Sequence, residues 1–203
     1  MKTKKKALFV SLLFLWITAG MTGCNKNDDQ LWEISPYGKQ TVIERKINGI
    51  AFKFCLLNEQ GKPATVFKEG ENFSFYFRIK NETGKNLYYN AYPCAYSDNF
   101  FSVSDSSGKI VGKSYEALPQ TDIGIAAYPF NNNDSYTFKV AWLHSEKSIV
   151  QGGDFDYKSL KREHLKTGNY YTGFSHKFKL FPASGDKHIE IEDIHFKINF
   201  KIR

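Results

Sequence analysis

The chain has 203 residues, 41% of them hydrophobic and 16% aromatic, with 28 Lys and Arg against 21 Asp and Glu for a formal net charge of +7. That apolar content excludes a disordered polymer, and the length suits one substantial core or two small ones. Lys2, Lys4, Lys5 and Lys6 supply four of the positive charges, and without them 24 basic residues face 21 acidic ones, a balance of +3 that argues against nucleic acid as a partner.

After the lysines, residues 7–20 form an uncharged apolar run that ends in small residues. This is the shape of an export signal, and the run is shorter than the roughly 20 apolar residues of a membrane-spanning helix. It closes on Met21-Thr22-Gly23-Cys24, which resembles the lipobox of bacterial lipoproteins, where the cysteine thiol is acylated and the chain is cut just before it. The resemblance implies a signal peptide over residues 1–23 and lipidation of Cys24, with palmitate among the acyl groups. One acyl chain holds a protein only marginally and several hold it stably, so the expected partner is a membrane. Residues 24–30, Cys24 followed by polar residues, read as a tether. Asn25 is not the aspartate associated with inner-membrane retention, which points to the outer membrane. Lys26 with Asp28-Asp29 resembles the acidic export signals of some surface lipoproteins, and a plain solvated linker is the alternative.

Residues 31–203 read as a single domain rich in strands. Leu31-Trp32-Glu33-Ile34 ends at the turn signal Ser35-Pro36-Tyr37-Gly38. A strand at residues 41–47 leads to Asn48-Gly49, a pair suited to a two-residue hairpin, and Ile50, Phe52, Phe54 and Leu56 alternate on the returning strand. Phe73, Phe75, Phe77 and Ile79 repeat the period of two, with Ser74, Tyr76, Arg78 and Lys80 facing the other way. Phe101 and Val103 precede the turn Asp105-Ser106-Ser107-Gly108, which reverses into Ile110-Val111. Residues 115–129 carry no clean period and read as a long connection or irregular edge. Tyr136, Phe138, Val140 and Trp142 share a face, residues 152–166 read as a loop, and Tyr170, Thr172, Phe174, Phe178 and Leu180 share another face. Ile189 and Ile191 are out of phase with Ile194, Phe196, Ile198, Phe200 and Ile202, which predicts a bulge or turn near Glu192-Asp193.

About eight strands, short turns and no helical period predict an all-β fold, an immunoglobulin-like antiparallel β-sandwich, with a closed barrel as the alternative. Of the three cysteines, Cys24 is assigned to the lipid, and export permits a disulfide between Cys55 and Cys94. Cys55 is out of phase with Phe52 and Phe54, so it faces away from their core, and the bridge stays open.

Residues 75–180 resemble the BsuPI-type proteinase-inhibitor family. The resemblance rests on Arg78-Ile79-Lys80-Asn81-Glu82-Thr83-Gly84-Lys85, on the hairpin from Phe101-Ser102-Val103 through Asp105-Ser106-Ser107-Gly108 to Ile110-Val111, and on the strands at Tyr136-Thr137-Phe138-Lys139-Val140-Ala141-Trp142 and Leu165-Lys166-Thr167-Gly168-Asn169-Tyr170. It covers about half the chain. It implies an immunoglobulin-like sandwich and, as an alternative function, an envelope-displayed proteinase inhibitor. The chain departs from that family in its two added N-terminal strands, its long 115–129 segment and its lipid anchor.

Chemistry-bearing motifs are few. The five histidines, His144, His164, His176, His188 and His195, form no His-Glu-x-x-His pattern, and no Gly-x-Ser-x-Gly elbow occurs. His188, Glu190 and Glu192 share one strand face where three ligands could meet a metal, but alternating polar residues on a solvated edge strand are the plainer explanation. His176, in phase with Phe174 and Phe178, reads as a core or rim histidine. No catalytic residue, metal ligand or cofactor is assigned, and the second alternative function, an envelope hydrolase, would need a triad assembled in space. The residues that point to binding are Tyr88, Tyr89, Tyr92 and Tyr96, whose flat rings with polar rims suit a sugar or a protein surface, with Asn90 adding a hydrogen-bonding amide; edge strands whose tyrosines cover the end of the sandwich are the alternative. The expectation is a non-enzymatic binding or assembly module of the cell envelope with a protein or glycan ligand.

Overall fold

A computed structural model describes residues 30–90, 92–95, 97, 99–117, 127–143, 149–151, 157–159, 163–185 and 187–203. The leader, Cys24, most of the tether and Tyr96 lie outside the described residues. In chain order the strands are β1 (Gln30–Ile34), β2 (Val42–Ile47), β3 (Ile50–Leu57), β4 (Val66–Phe67), β5 (Ser74–Asn81) and β6 (Leu87–Tyr89). A single helical turn, α1 (Tyr92–Ala95), precedes β7 (Ser102–Asp105), β8 (Ile110–Lys113), β9 (Tyr115–Ala117), β10 (Tyr128–Phe130) and β11 (Ser135–Ala141). The last four are β12 (Ile149–Gln151), β13 (Tyr157–Ser159), β14 (Gly168–Pro182) and β15 (Ile189–Ile202).

An eight-stranded sheet runs β1-β15-β14-β6-β10, with β4 also on β15, β7 on β14 and β8 on β7. A five-stranded sheet runs β12-β11-β5-β3-β2, and β13 pairs with β9 apart from both. The expected all-β sandwich is present, and among the described residues its sheets do not close into a barrel. The strand count exceeds eight because β14 and β15 are long enough to pair with several short strands along their length. Segments without a clean period also contribute: β9 and the start of β10 come from 115–129, read as a long connection or irregular edge, and β13 from 152–166, read as a loop. Two pairings are parallel, β1 with β15 and β4 with β15, in an otherwise antiparallel structure.

Local chemistry explains the elements that were expected. Asn48 and Gly49 both take positive φ, 50° and 81°, which matches the twist of a two-residue hairpin and joins Ile47 to its register partner Ile50. In β14 and β15 the register moves from His176↔Ile194 to Phe178↔Ile191, so the extra residue falls at 192–193, where the phase of the isoleucines breaks.

One apolar cluster draws on both sheets. Phe54 and Phe77 of the smaller sheet meet Phe174 of the larger edge to face, at ring-centroid distances of 5.4 and 5.2 Å, and Phe77 meets Phe196 at 5.5 Å. Such edge contacts add about 0.5–1.5 kcal/mol each beyond the area they bury.

The possible disulfide between Cys55 and Cys94, left open by the sequence, is not formed. Cys55 and Cys94 are both buried free thiols, and no bridge joins them. Cys94 belongs to the core cluster, whereas Cys55 projects from the opposite face of β3, so the sheet itself separates them. Burial holds the Cys55 thiol up at about 11 and the Cys94 thiol well above its ordinary value, which keeps both protonated and unreactive at neutral pH.

Candidate functional site

The outer face of the larger sheet carries a trough of about 420 Å³. Its floor crosses β1, β15 and β14 through Glu33, Lys197, Asn199, Asn169 and Tyr171. Outward alternation on each strand puts these residues on one face, opposite the buried Ile34, Ile198 and Thr172. Two turns form the walls. On one side Gly38 N donates to Ser35 O at 3.2 Å, which raises Tyr37 to the rim, where its side chain is 79% exposed. On the other, the Asp105 carboxylate accepts hydrogen bonds from Ser107 and from Lys109 N, and Gly108 N donates to Asp105 O, fixing the hairpin tip that carries Ser106. Hydrogen bonds, first among them that from the Ser107 hydroxyl, keep the Asp105 carboxyl below its ordinary pKa.

Within the trough the charges are already matched. Asn199 Nδ2 donates to Glu33 Oε1 at 2.7 Å and to Ile34 O at 2.9 Å, and Lys197 Nζ reaches the same Glu33 oxygen at 2.9 Å. The hydrogen bonds from Asn199 and then Lys197 hold the Glu33 carboxyl below its usual value, so it is an anion at neutral pH. Lys197 Nζ also lies 5.2 Å from the centre of the Tyr171 ring. A half-exposed pair of this kind contributes at most about 1 kcal/mol to stability, so it serves mainly to place groups. By contrast the side-chain polar atoms of Ser106, Asn169, Tyr171 and Tyr37 donate and accept no hydrogen bond to the described residues. Gly173, next outward residue along β14 from Tyr171, lets the strands come close: a Cβ there would run into the Phe196 carbonyl oxygen.

A second concavity, about 500 Å³, lies among Asn58, Glu59, Lys68, Glu69, Glu71 and Arg203. Its carboxylates are already engaged in holding the fold: Glu71 accepts from Lys68 N within its own turn, Glu59 from Asn72 N and Glu69 from the Thr167 hydroxyl. The trough is therefore the better candidate.

No family model matches the chain, and neither does any curated protein.

Tyr88 and Tyr89 of the tyrosine-rich segment do not share a surface. β6 alternates, so Tyr88 faces out at 40% exposure while Tyr89 is in the core at 2%. Burial first, then the neighbouring Cys94 and Tyr136, raise the Tyr89 hydroxyl well above its ordinary pKa. Tyr89 is thus a core residue and not a ligand contact. Asn90 is half-buried, Tyr92 sits in α1, and Tyr96 is outside the described residues. Tyr88 instead joins a cross-strand row with Pro129 and Phe181, its register partners on β10 and β14. Lys179 Nζ stands 5.5 Å from the Phe181 ring, and the His188 ring lies 6.0 Å from it.

The His188, Glu190 and Glu192 face holds a cation of its own. Lys177 Nζ lies 2.6 Å from Glu190 and 3.4 Å from Glu192, with His188 Nε2 3.4 Å from Glu190. The Lys177 ammonium pairs with both carboxylates, and no group of three or more His, Cys, Asp or Glu side chains that could hold a metal ion occurs among the described residues. Ser175 Oγ meets His195 Nδ1 across β14 and β15, on a stretch of sheet that lines neither concavity.

His176 lies at the bulge with its ring edge-on to Phe178 at 4.7 Å, and burial lowers its pKa to about 4, Asp193 opposing the shift. Its folded pKa is below the unfolded value of about 6.5. The unfolded chain therefore takes up the proton first as pH falls, and stability is lost between about 6.5 and 4, by up to roughly 3 kcal/mol. Thermal unfolding followed across that window should show the loss, and His176→Gln should flatten it down to the pH where carboxylates begin to titrate.

Sequence reasoning missed the trough. Tyr37 was the available signal, a large aromatic at the tip of a turn with no strand phase to bury it.

Proposed function

We propose that this chain is a non-enzymatic binding module, lipid-anchored through Cys24 to the bacterial outer membrane, and that the trough on its larger sheet is where it holds its ligand. The observation that carries the reading is the set of unused hydrogen-bonding groups, Ser106, Asn169 and the Tyr171 hydroxyl, gathered beside a rim tyrosine that is 79% exposed. Exposed polar groups on a plain solvated face would be scattered; here two fixed turns enclose them. A volume of about 420 Å³ falls within the range of ligand sites, about 300–1,000 Å³.

The anchor reading is supported by the lysine leader, the apolar run and the small residues before Cys24. No helix among the described residues is long and apolar enough to cross a membrane. A binding role rather than turnover is supported by the position of the Ser175 and His195 pair away from both concavities.

The experiment combines the two parts of the proposal. Cys24→Ala should abolish palmitate labelling and release the chain from the membrane fraction, and surviving label would contradict the anchor. A thermal-shift screen of soluble envelope components, both oligosaccharides and peptides, should find a stabilising ligand whose effect disappears in Tyr37→Ala. A stabilising ligand indifferent to that change would contradict the trough.

A further inference from the structure

We infer that the trough selects a neutral saccharide, an uncharged, hydroxyl-rich ring or short run of rings. The inference rests on the trough being the binding site of the module. Charge is the first argument. Glu33 and Lys197 face each other at 2.9 Å, so the floor offers a matched pair rather than a net field, and an ionic ligand would have to break that pair to gain one of its own. An uncharged ligand gains from both partners without separating them: the carboxylate still accepts and the ammonium still donates.

Hydrogen-bonding capacity is the second. Hydroxyls of Ser106 and Tyr171 each donate and accept, and the Asn169 amide does both. A sugar hydroxyl is the ligand group with the same dual character, so each contact can be satisfied in either direction. Ser106 and Asn169 are exposed, so leaving them unbonded costs the free protein little, because water serves them.

Shape is the third. Tyr37 presents its ring at the rim with 79% exposure, an apolar plate suited to the C–H face of a pyranose, while the floor beneath is polar. A peptide would instead seek a strand edge or an apolar groove. The trough is neither, because its floor is the face of paired strands.

The test uses the full chain in detergent, titrated calorimetrically with neutral oligosaccharides cut from glucans, mannans, xylans and chitin, with uronic-acid oligomers, with chitosan oligomers and with tyrosine- and proline-containing peptides. The expected result is heat from a neutral oligosaccharide, with affinity reduced about tenfold or more in Tyr37→Ala and in Asn169→Ala. Both residues are exposed and outside the core, so circular dichroism and thermal midpoint should match the parent. Binding of a charged oligomer or a peptide in preference, weakened by the same substitutions, would overturn the saccharide assignment while leaving the trough as the site. Saccharide binding that neither substitution alters would overturn the assignment to the trough. Absence of heat from every neutral oligosaccharide at millimolar concentration would overturn the inference itself.

Discussion

Replacing Phe77 by alanine should lower the free energy of unfolding by about 3–5 kcal/mol, the range for deleting a buried phenylalanine. Phe77 is fully buried and its ring meets those of Phe54, Phe100, Phe138, Phe174, Phe178 and Phe196, so it is in contact with both sheets. Rings held on several sides cannot all move in to fill the space, and the cavity term therefore adds to the lost transfer free energy. Urea titration should show the midpoint falling with little change of slope, since the surface exposed on unfolding is nearly the same. Phe181→Ala is the matched control: that ring is 43% exposed, and its removal should change stability by no more than about 0.5 kcal/mol. Equal effects at the two positions would contradict the packing described here.

Asn81→Leu should cost a comparable amount, about 3–4 kcal/mol, for an unrelated reason. Asn81 is fully buried at the end of β5, where its Nδ2 donates to Lys85 O at 2.8 Å and to Phe130 O at 2.7 Å. Its Oδ1 accepts from Thr83 N and from the Thr83 hydroxyl. One side chain thus ties the 81–85 turn to β10. Its backbone extends the tie to the 131–134 turn, donating to Asp134 O and accepting from Asn133 N. Leucine has similar volume but leaves the Phe130 carbonyl buried without its donor, and an orphaned buried group costs about 1–3 kcal/mol. Asn81→Asp should not rescue: it retains the acceptor for Thr83 but turns a carboxylate oxygen toward two carbonyls. Chemical denaturation of all three proteins checks this, and an Asp variant as stable as the parent would contradict the hydrogen-bond assignment.

Features set by neighbours in sequence were legible. The alternation through Phe73, Phe75, Phe77 and Ile79 predicted a strand with one buried face, and these four side chains are at most 2% exposed. Asn48-Gly49 predicted its hairpin because only positive φ at both positions closes a two-residue loop. The phase break between Ile191 and Ile194 predicted the bulge, since a period of two cannot skip a residue without one. Grouping Tyr88 with Tyr89 as candidate ligand contacts overlooks that adjacent strand residues face opposite ways, and of the two only Tyr88 is exposed.

What could not be read was set by pairing at long range. The parallel contacts of β1 and β4 with β15 have no local signature. The trough joins Glu33 to Asn199 across 166 positions and adds a hairpin tip from the middle of the chain, so no window of sequence contains it. Cys55 shows the same division: its outward phase was legible, but its complete burial depends on neighbours from other strands.

The measurement that bears most directly on the central claim, that the outer face of the larger sheet is a binding site, is amide chemical-shift mapping of the isotopically labelled chain as a ligand from the screen is added. The account predicts shifts confined to residues 33–38, 104–108, 169–173 and 197–199. Shifts centred instead on Tyr88, Pro129 and Phe181 would move the site to the aromatic row and contradict the assignment of the trough.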